Sequence, residues 1–94
     1  MFVTIVEGAV EAAREDDLRS AWQELTAVLP EGLIESSLLR ADDGTWQIVT
    51  VWESKDAVMA MRASGPPAAP AMFERAGSVP SLSMWTAEAR VSRS

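Results

Sequence analysis

The segment spanning residues 45–53 constrains the fold most, because it predicts a β-strand in which both faces are apolar. Its alternating residues form two sets: Trp46, Ile48, Thr50 and Trp52 on one face, and Val49 and Val51 on the other. A strand that is apolar on both faces is normally covered on both. We therefore expect helices against one face of the sheet and another protein layer against the second.

Three further segments have the composition of strands, and they cover residues 2–7, 33–40 and 81–91. Gly8 follows the first of them. The Asp43-Gly44 pair between residues 40 and 45 is typical of a hairpin turn and joins the second strand to the third. In the last strand, alternation puts Leu82 and Met84 on one face and Trp85 and Ala87 on the other.

Helical periodicity replaces this alternation in two places. Residues 13–28 carry one apolar stripe, formed by Leu18, Ala21, Trp22, Leu25 and Val28. Pro30 and Gly32 are expected to end that helix. Ser54 is a candidate N-cap for a second helix, with Met61 on its apolar stripe and Met59 outside it. Residues 64–67 end the second helix, and Pro70 begins a short third one through Ala76.

The order β-α-β-β-α-β predicts an α+β fold of the ferredoxin-like type, an antiparallel four-stranded sheet with both helices on one face. We expect a single domain over residues 1–94. A second copy placed face to face would cover the other side of the sheet, which predicts a two-fold homodimer.

Composition excludes several classes of function. The 94 residues contain no Cys, His or Tyr, which removes thiolate nucleophiles, zinc–thiolate sites and His-based acid–base catalysis. A net charge of −6 with a single lysine, Lys55, argues against nucleic acid or a membrane surface as a partner. The N-terminal residues have neither the basic region of a signal peptide nor the length of a membrane span, so we expect a cytoplasmic protein.

Residues 30–64 carry a resemblance to a known family. The similar positions are Pro30-Glu31-Gly32-Leu33, Leu38-Leu39-Arg40, Asp42-Asp43-Gly44, Trp46, Trp52-Glu53-Ser54, Ala57, Ala60 and Ser64, with Arg14, Leu18 and Trp22 in the first helix. This pattern resembles the antibiotic biosynthesis monooxygenase (ABM) family of dimeric α+β barrels. The resemblance implies a pocket between the sheet and its helices in each subunit.

The resemblance also implies a range of activities, among them metal- and flavin-free oxidation of polycyclic phenols to quinones, quinol oxidation and haem degradation. In the haem-degrading branch, an Asn, a Trp and a His correspond here to Val6 or Glu7, to Met61 and to a position near Ala71. None of the three is present, so we do not expect haem degradation. We expect no metal and no cofactor.

The leading hypothesis is a cofactor-independent monooxygenase acting on a small polyketide-like or quinol aromatic substrate. Its candidate catalytic residues are Trp52, to stack on the ligand, and Arg62, to hold its anion. The candidate substrate-binding residues are Trp46, Met59, Met61, Met72, Phe73 and Arg75. Each has a plainer interpretation, the Trp, Met and Phe side chains as core and the arginines as a solvated helix face. The alternative is a non-catalytic dimer that binds a hydrophobic ligand or a protein partner.

Overall fold

The computed structural model describes residues 1–65 and 67–93, with the backbone but not the side chains of residues 25 and 26. In chain order its elements are β1 Phe2–Ala9, a 3-10 turn Ala12–Arg14, α1 Glu15–Thr26, β2 Leu33–Arg40, β3 Thr45–Trp52, α2 Lys55–Ala63, α3 Ala68–Arg75 and β4 Ser81–Thr86. The strand and helix order predicted from the sequence is confirmed, with α3 as a third helix. Within the described residues, no helix is long and apolar enough to span a membrane.

The four strands form one antiparallel sheet in the order β2-β3-β1-β4. Val6 of β1 lies opposite Ile48 of β3 on one side and Leu82 of β4 on the other. Every second residue is buried in β1, where the first is Phe2, and in β3, where the last is Trp52. These buried residues identify the face of the sheet that the helices cover. The ferredoxin-like α+β fold expected from the sequence is therefore confirmed.

Two clusters of buried side chains lie on this helix-covered face. The larger cluster joins β1 and β3 to α1 and α3, and it comprises Val6, Val10, Leu18, Ala21, Trp46, Ile48, Met72, Phe73 and Ala76. The smaller cluster comprises Phe2, Trp52 and Val58 of α2, with Leu33, Ala57, Met61 and Met84 packed against it. The helix-covered face thus carries a large core cluster at one end and a smaller one at the other.

Close packing of α3 onto β1 depends on the absence of a side chain at Gly8. A Cβ atom built there would lie 2.5 Å from Ser78 Oγ and 2.9 Å from Phe73 Cδ1. Both separations are shorter than van der Waals contact. Gly8 therefore sets how near the fully buried Phe73 ring approaches the sheet.

Several predicted boundaries were wrong for identifiable reasons. The first helix ends at Thr26, and Val28, assigned to its apolar stripe, is 79% exposed. Pro30 disfavours helical backbone at the residue before it, so the helix ends earlier. The last strand ends at Thr86 because its partner β1 begins at Phe2, and only the Ala87 N–H reaches beyond that pair, to the Met1 carbonyl at 3.0 Å.

Other boundaries moved by two residues. β1 continues through Gly8 to Ala9 because β3 pairs with it over that length. α3 begins at Ala68, two residues before Pro70, whose missing N–H is tolerated in the first turn of a helix. The N-cap prediction is confirmed, since the Ala57 N–H donates to Ser54 Oγ at 3.2 Å. Pro66 and the Leu25 side chain, both part of the sequence predictions, lie outside the described residues.

The face of the sheet away from the helices is apolar at its centre. Val3, Ile5, Val49 and Val51 are half-buried there, and the adjacent Trp85 side chain is 58% exposed. We call these five residues the open face. At one end of the same side of the sheet, Gln47 Nε2 donates a 2.7 Å hydrogen bond to Glu7 Oε1.

Candidate functional site

A cavity of about 200 Å³ lies between the helix-covered face of the sheet and the connection from α2 to α3. Its wall is mostly apolar. The described residues that line it are Thr4, Val6, Pro30, Leu33, Thr50, Trp52, Val58, Met61, Arg62, Ser64, Gly65, Pro67, Ala68, Ala69, Pro70 and Leu82. It adjoins the smaller core cluster, which supplies Trp52 and Val58.

The floor of the cavity is a row of hydroxyl groups on neighbouring strands. Trp52 Nε1 donates to Thr4 Oγ1 at 3.0 Å, and the Ser36 and Thr50 hydroxyl oxygens are 2.9 Å apart. Thr4 and Thr50 face each other across the β1–β3 pair, and both are buried. The Trp52 indole N–H is therefore engaged by the protein, and its ring face is the part available to a ligand.

Helix α2 supplies one side wall. Val58, Met61 and Arg62 are spaced at i, i+3 and i+4, so they lie on one face of the helix. That face turns towards the sheet because Ser54 caps the helix and Val58 is fully buried against Trp52 and Phe2. The half-buried Arg62 side chain has no hydrogen-bond or ion-pair partner among the described residues.

The second side wall runs from the connection between α2 and α3 into the first turn of α3. Gly65 and Pro67 belong to the connection and Ala68, Ala69 and Pro70 to the helix, and all five are small or ring-closed residues. Such residues leave room beside the sheet, and they lose almost no side-chain entropy when they are ordered. Sequence reasoning predicted a helix break at residues 64–67 and a helix start at Pro70, and it missed this stretch as a cavity wall. The detectable signal was Thr4 and Thr50, hydroxyl residues at alternating positions on otherwise apolar strand faces.

Three of the eight residues proposed from the sequence line this cavity, namely Trp52, Met61 and Arg62. Three others, Trp46, Met72 and Phe73, lie in the larger core cluster and do not line it. The remaining two lie on the surface. Met59 is 39% exposed on α2, and Arg75 donates to Glu24 Oε2 at 2.7 Å.

Trp46 is held at the opposite end of β3 from Trp52 by a charged network. Its Nε1 donates to Glu15 Oε2 at 2.9 Å, and the same oxygen accepts from Arg40 Nε at 2.8 Å. The Arg19 guanidinium lies 5.1 Å from the centre of the Trp46 ring, and that of Arg40 lies 5.9 Å away. These contacts explain why Trp46 is buried as a structural residue of the first helix–sheet junction.

The hydrogen bonds from Arg40 and Trp46 lower the pKa of Glu15 below its ordinary value of 4.5. A carboxyl whose pKa is lower in the folded chain stabilises the fold above the unfolded pKa, and this contribution disappears as the pH falls through the folded pKa. We therefore expect the Glu15→Gln variant to lose less stability than the native chain on acidification below about pH 4.5. Urea unfolding at a series of pH values measures this difference.

Glu11→Gln is the control, because the Glu11 side chain is exposed and makes no hydrogen bond or ion pair in the described part of the chain. Its acid dependence should match that of the native chain. Equal acid dependence in the native chain and in Glu15→Gln would contradict the prediction.

The carboxylates give no metal-binding geometry where the structure describes them. In residues 1–65 and 67–93, no group of three or more Asp or Glu side chains is arranged to hold a metal ion. The cavity wall itself, as far as it is described, contains one charged side chain, that of Arg62. The site thus offers an aromatic ring, two hydroxyls and one guanidinium.

The chain matches the family described as "Antibiotic biosynthesis monooxygenase" over residues 1–73. The matched region contains β1 to β3, α2 and the described cavity residues other than Leu82. No curated protein matched the chain.

Solved structures share the fold. A Deinococcus radiodurans protein assigned to the antibiotic biosynthesis monooxygenases has a TM-score of 0.77 at 13% identity, with 100% of this chain and 99% of that chain covered. SnoaB, a cofactor-independent oxygenase from Streptomyces nogalater, has a TM-score of 0.72 at 19% identity over 98% and 97%. The haem degrader MhuD from Mycobacterium tuberculosis, with two haems in its active site, has a TM-score of 0.70 at 24% identity over 98% and 100%.

Proposed function

This chain belongs to the antibiotic biosynthesis monooxygenase family, and we propose that it is a cofactor-independent monooxygenase that oxidises a small aromatic substrate in the described cavity. The observation that carries the proposal is the cavity itself. It brings the Trp52 ring, the Thr4 and Thr50 hydroxyls and the Arg62 guanidinium together between sheet and helices. An apolar cleft with a few convergent polar groups is the usual form of a small-molecule site.

The chemistry follows from the groups on the cavity wall. The described wall has no carboxylate to act as a general base, so the substrate must be acidic enough to ionise with help from a nearby cation. Arg62 would stabilise the resulting phenolate, and Trp52 would hold the ring. The phenolate then donates electrons to O₂. One oxygen atom enters the ring to give a quinone, and the other leaves as water, so that phenol and O₂ become quinone and water.

The role of Trp52 can be tested with the Trp52→Phe variant. Phenylalanine keeps an apolar ring but is smaller, and it removes the N–H that donates to Thr4 Oγ1. We expect oxygen uptake with hydroxylated aromatic and quinol substrates to fall by about tenfold or more, because the smaller ring gives the substrate less stacking surface and orients it less well. An oxygen electrode, with quinone formation followed by absorbance, measures the loss.

Trp22→Phe is the matched control, since Trp22 is a half-buried residue of α1 away from the described cavity wall. It should retain oxygen uptake. Unchanged turnover in Trp52→Phe would contradict the assignment. Saturable binding of these aromatics without any oxygen uptake would favour the alternative, a non-catalytic protein that binds a hydrophobic ligand.

We also propose that two copies associate through the open face. Its five apolar side chains are contiguous on β1, β3 and β4, since Val3 lies opposite both Val51 and Trp85. The Glu7–Gln47 hydrogen bond gives this surface a polar margin. An apolar centre with a polar margin is the usual composition of a homodimer interface. The partner is a second copy of this chain, and the cavity on the opposite face of the sheet remains accessible in such a dimer.

A further inference from the structure

We infer that the substrate class is an aromatic monoanion of one or two rings, selected by size through the cavity volume and by charge through Arg62. This inference rests on the proposed function, because it concerns the ligand of the same cavity. It limits the size of the ligand and, independently, its charge, and each limit has its own test.

The size limit follows from the cavity volume. An apolar cavity of about 150 Å³ accommodates benzene, whereas drug-sized ligands occupy pockets of about 300–1,000 Å³. The cavity here, at about 200 Å³, lies between these values. One or two fused rings fit within such a space, whereas a four-ring polyketide or a porphyrin would extend beyond it. Buried Trp52 of β3 and buried Val58 of α2 bound the cavity, so it cannot enlarge past them without disturbing the smaller core cluster.

The charge preference follows from the pairing of the arginines. The side chains of Arg14, Arg19, Arg40 and Arg75 each lie 2.6–2.9 Å from a carboxylate oxygen. Arg62 has no such partner among the described residues, although the whole chain contains 14 acidic residues. Arg90 and Arg93 also lack a carboxylate partner there but are exposed, whereas Arg62 is half-buried at an apolar cavity. A partly desolvated guanidinium without a counter-charge favours an anionic ligand.

The hydroxyl floor completes the selection. Thr4 Oγ1 already accepts a hydrogen bond from the Trp52 indole, so its own O–H remains free to donate. The Thr50 hydroxyl is hydrogen-bonded to the Ser36 hydroxyl. The floor therefore offers a hydrogen-bond donor to an oxygen of the ligand, separate from the group that Arg62 would bind. A ring that carries an acidic group and a second oxygen substituent matches both groups.

Calorimetric titration of the full chain tests charge and size separately. The probes are 2-naphthoate, its neutral isostere 2-naphthamide, and pyrene-1-carboxylate, which carries the same charge on four rings. We expect 2-naphthoate to bind about tenfold or more tightly than 2-naphthamide, as expected for a charge-assisted hydrogen bond. We expect pyrene-1-carboxylate to bind at least about tenfold more weakly than 2-naphthoate, because its rings exceed the cavity.

Arg62→Gln should remove the preference for 2-naphthoate while leaving the affinity for 2-naphthamide within about twofold. Lys55→Gln is the matched control, because it removes one positive charge from the same helix at a residue outside the described cavity wall. It should keep the native preference. Loss of the preference in Lys55→Gln as well would assign it to net charge and overturn the role of Arg62.

The outcomes separate this inference from the proposed function. Equal affinity for naphthoate and naphthamide would overturn the charge preference, and tighter binding of the pyrene acid would overturn the size limit. In both cases, oxygen uptake with other aromatics would leave the proposed function standing. Absence of binding by all three probes, together with absence of oxygen uptake across hydroxylated aromatics, would overturn both.

Discussion

Replacing Phe73 by alanine is expected to lower the free energy of unfolding by about 3–5 kcal/mol. The Phe73 ring is fully buried, and it packs over Gly8 in the larger core cluster, where Leu18 and Ile48 are also fully buried. A domain of this length has a total stability of roughly 5–14 kcal/mol, so the loss is a large part of it. Urea unfolding followed by circular dichroism measures the change from the transition midpoint.

Phe73→Leu keeps most of the buried volume and should cost less than about 1.5 kcal/mol. Met59→Ala, at an exposed position on α2, should change stability by about 0.5 kcal/mol or less. Unfolding of Phe73→Ala at the same urea concentration as the native chain would contradict the close packing of α3 against β1.

The variant also tests the sequence hypothesis that Phe73 is a ligand-binding residue. Weaker ligand binding with unchanged stability would support that hypothesis.

Replacing Trp85 by glutamate is expected to convert a dimer of this chain into monomers at micromolar concentration. Trp85 is the most exposed member of the open face, at 58%, and it lies on the edge strand β4, opposite Val3 of β1. A tryptophan that becomes buried in an interface contributes about 2 kcal/mol or more, and a buried unpaired carboxylate adds a further penalty. The dimer dissociation constant should therefore rise about thirtyfold or more. Sedimentation velocity over a concentration series measures it.

The matched control is Val79→Glu, because Val79 is 93% exposed and lies outside the sheet. It introduces the same charge and should leave the sedimentation coefficient unchanged. Circular dichroism should be native in both variants, since neither side chain is buried in the single chain. A native chain that sediments as a stable monomer at micromolar concentration would contradict the proposed dimer.

Local patterns were sufficient to predict the sheet and the order of its elements. Alternation along β3 identified Ile48 and Trp52 as residues of one face, and Ser54 identified the start of α2. These features depend on neighbours in sequence, so the sequence contains most of their cause. The same reasoning distinguished Met61, on the inner stripe of α2, from the exposed Met59.

The two ends of one strand face were not distinguishable in the same way. Trp46 and Trp52 share a face of β3, and six residues at about 3.3 Å each separate them by about 20 Å. Alternation assigns both to the helix-covered side, but it does not say which end is filled by α1 and α3 and which borders a cavity. That difference depends on how the helices approach the sheet, and therefore on contacts such as those of Gly8 with Phe73 and Ser78.

The inner face of the short helix α3 was likewise not predictable from local sequence patterns. A start at Pro70 was predicted, and the helix begins at Ala68. Each residue turns a helix by about 100 degrees, so the starting residue alone does not fix its inner face without knowledge of its packing partners. In the structure, the inner residues Met72 and Phe73 contact the larger core cluster, and the cavity is lined instead by Ala68, Ala69 and Pro70 at the beginning of the helix.

The separation of the two clusters has a consequence for redesign of this protein. Most of the buried apolar side chains belong to the larger cluster, of which Val6 lines the described cavity, whereas the smaller cluster contributes Trp52 and Val58. Substitutions at Met61 or Leu33, which pack against the smaller cluster, would therefore reshape the binding space while most of the folding free energy is retained. New ligand specificities can be sought at this end of the sheet with little risk to the fold, and the other end serves as the scaffold that tolerates the search.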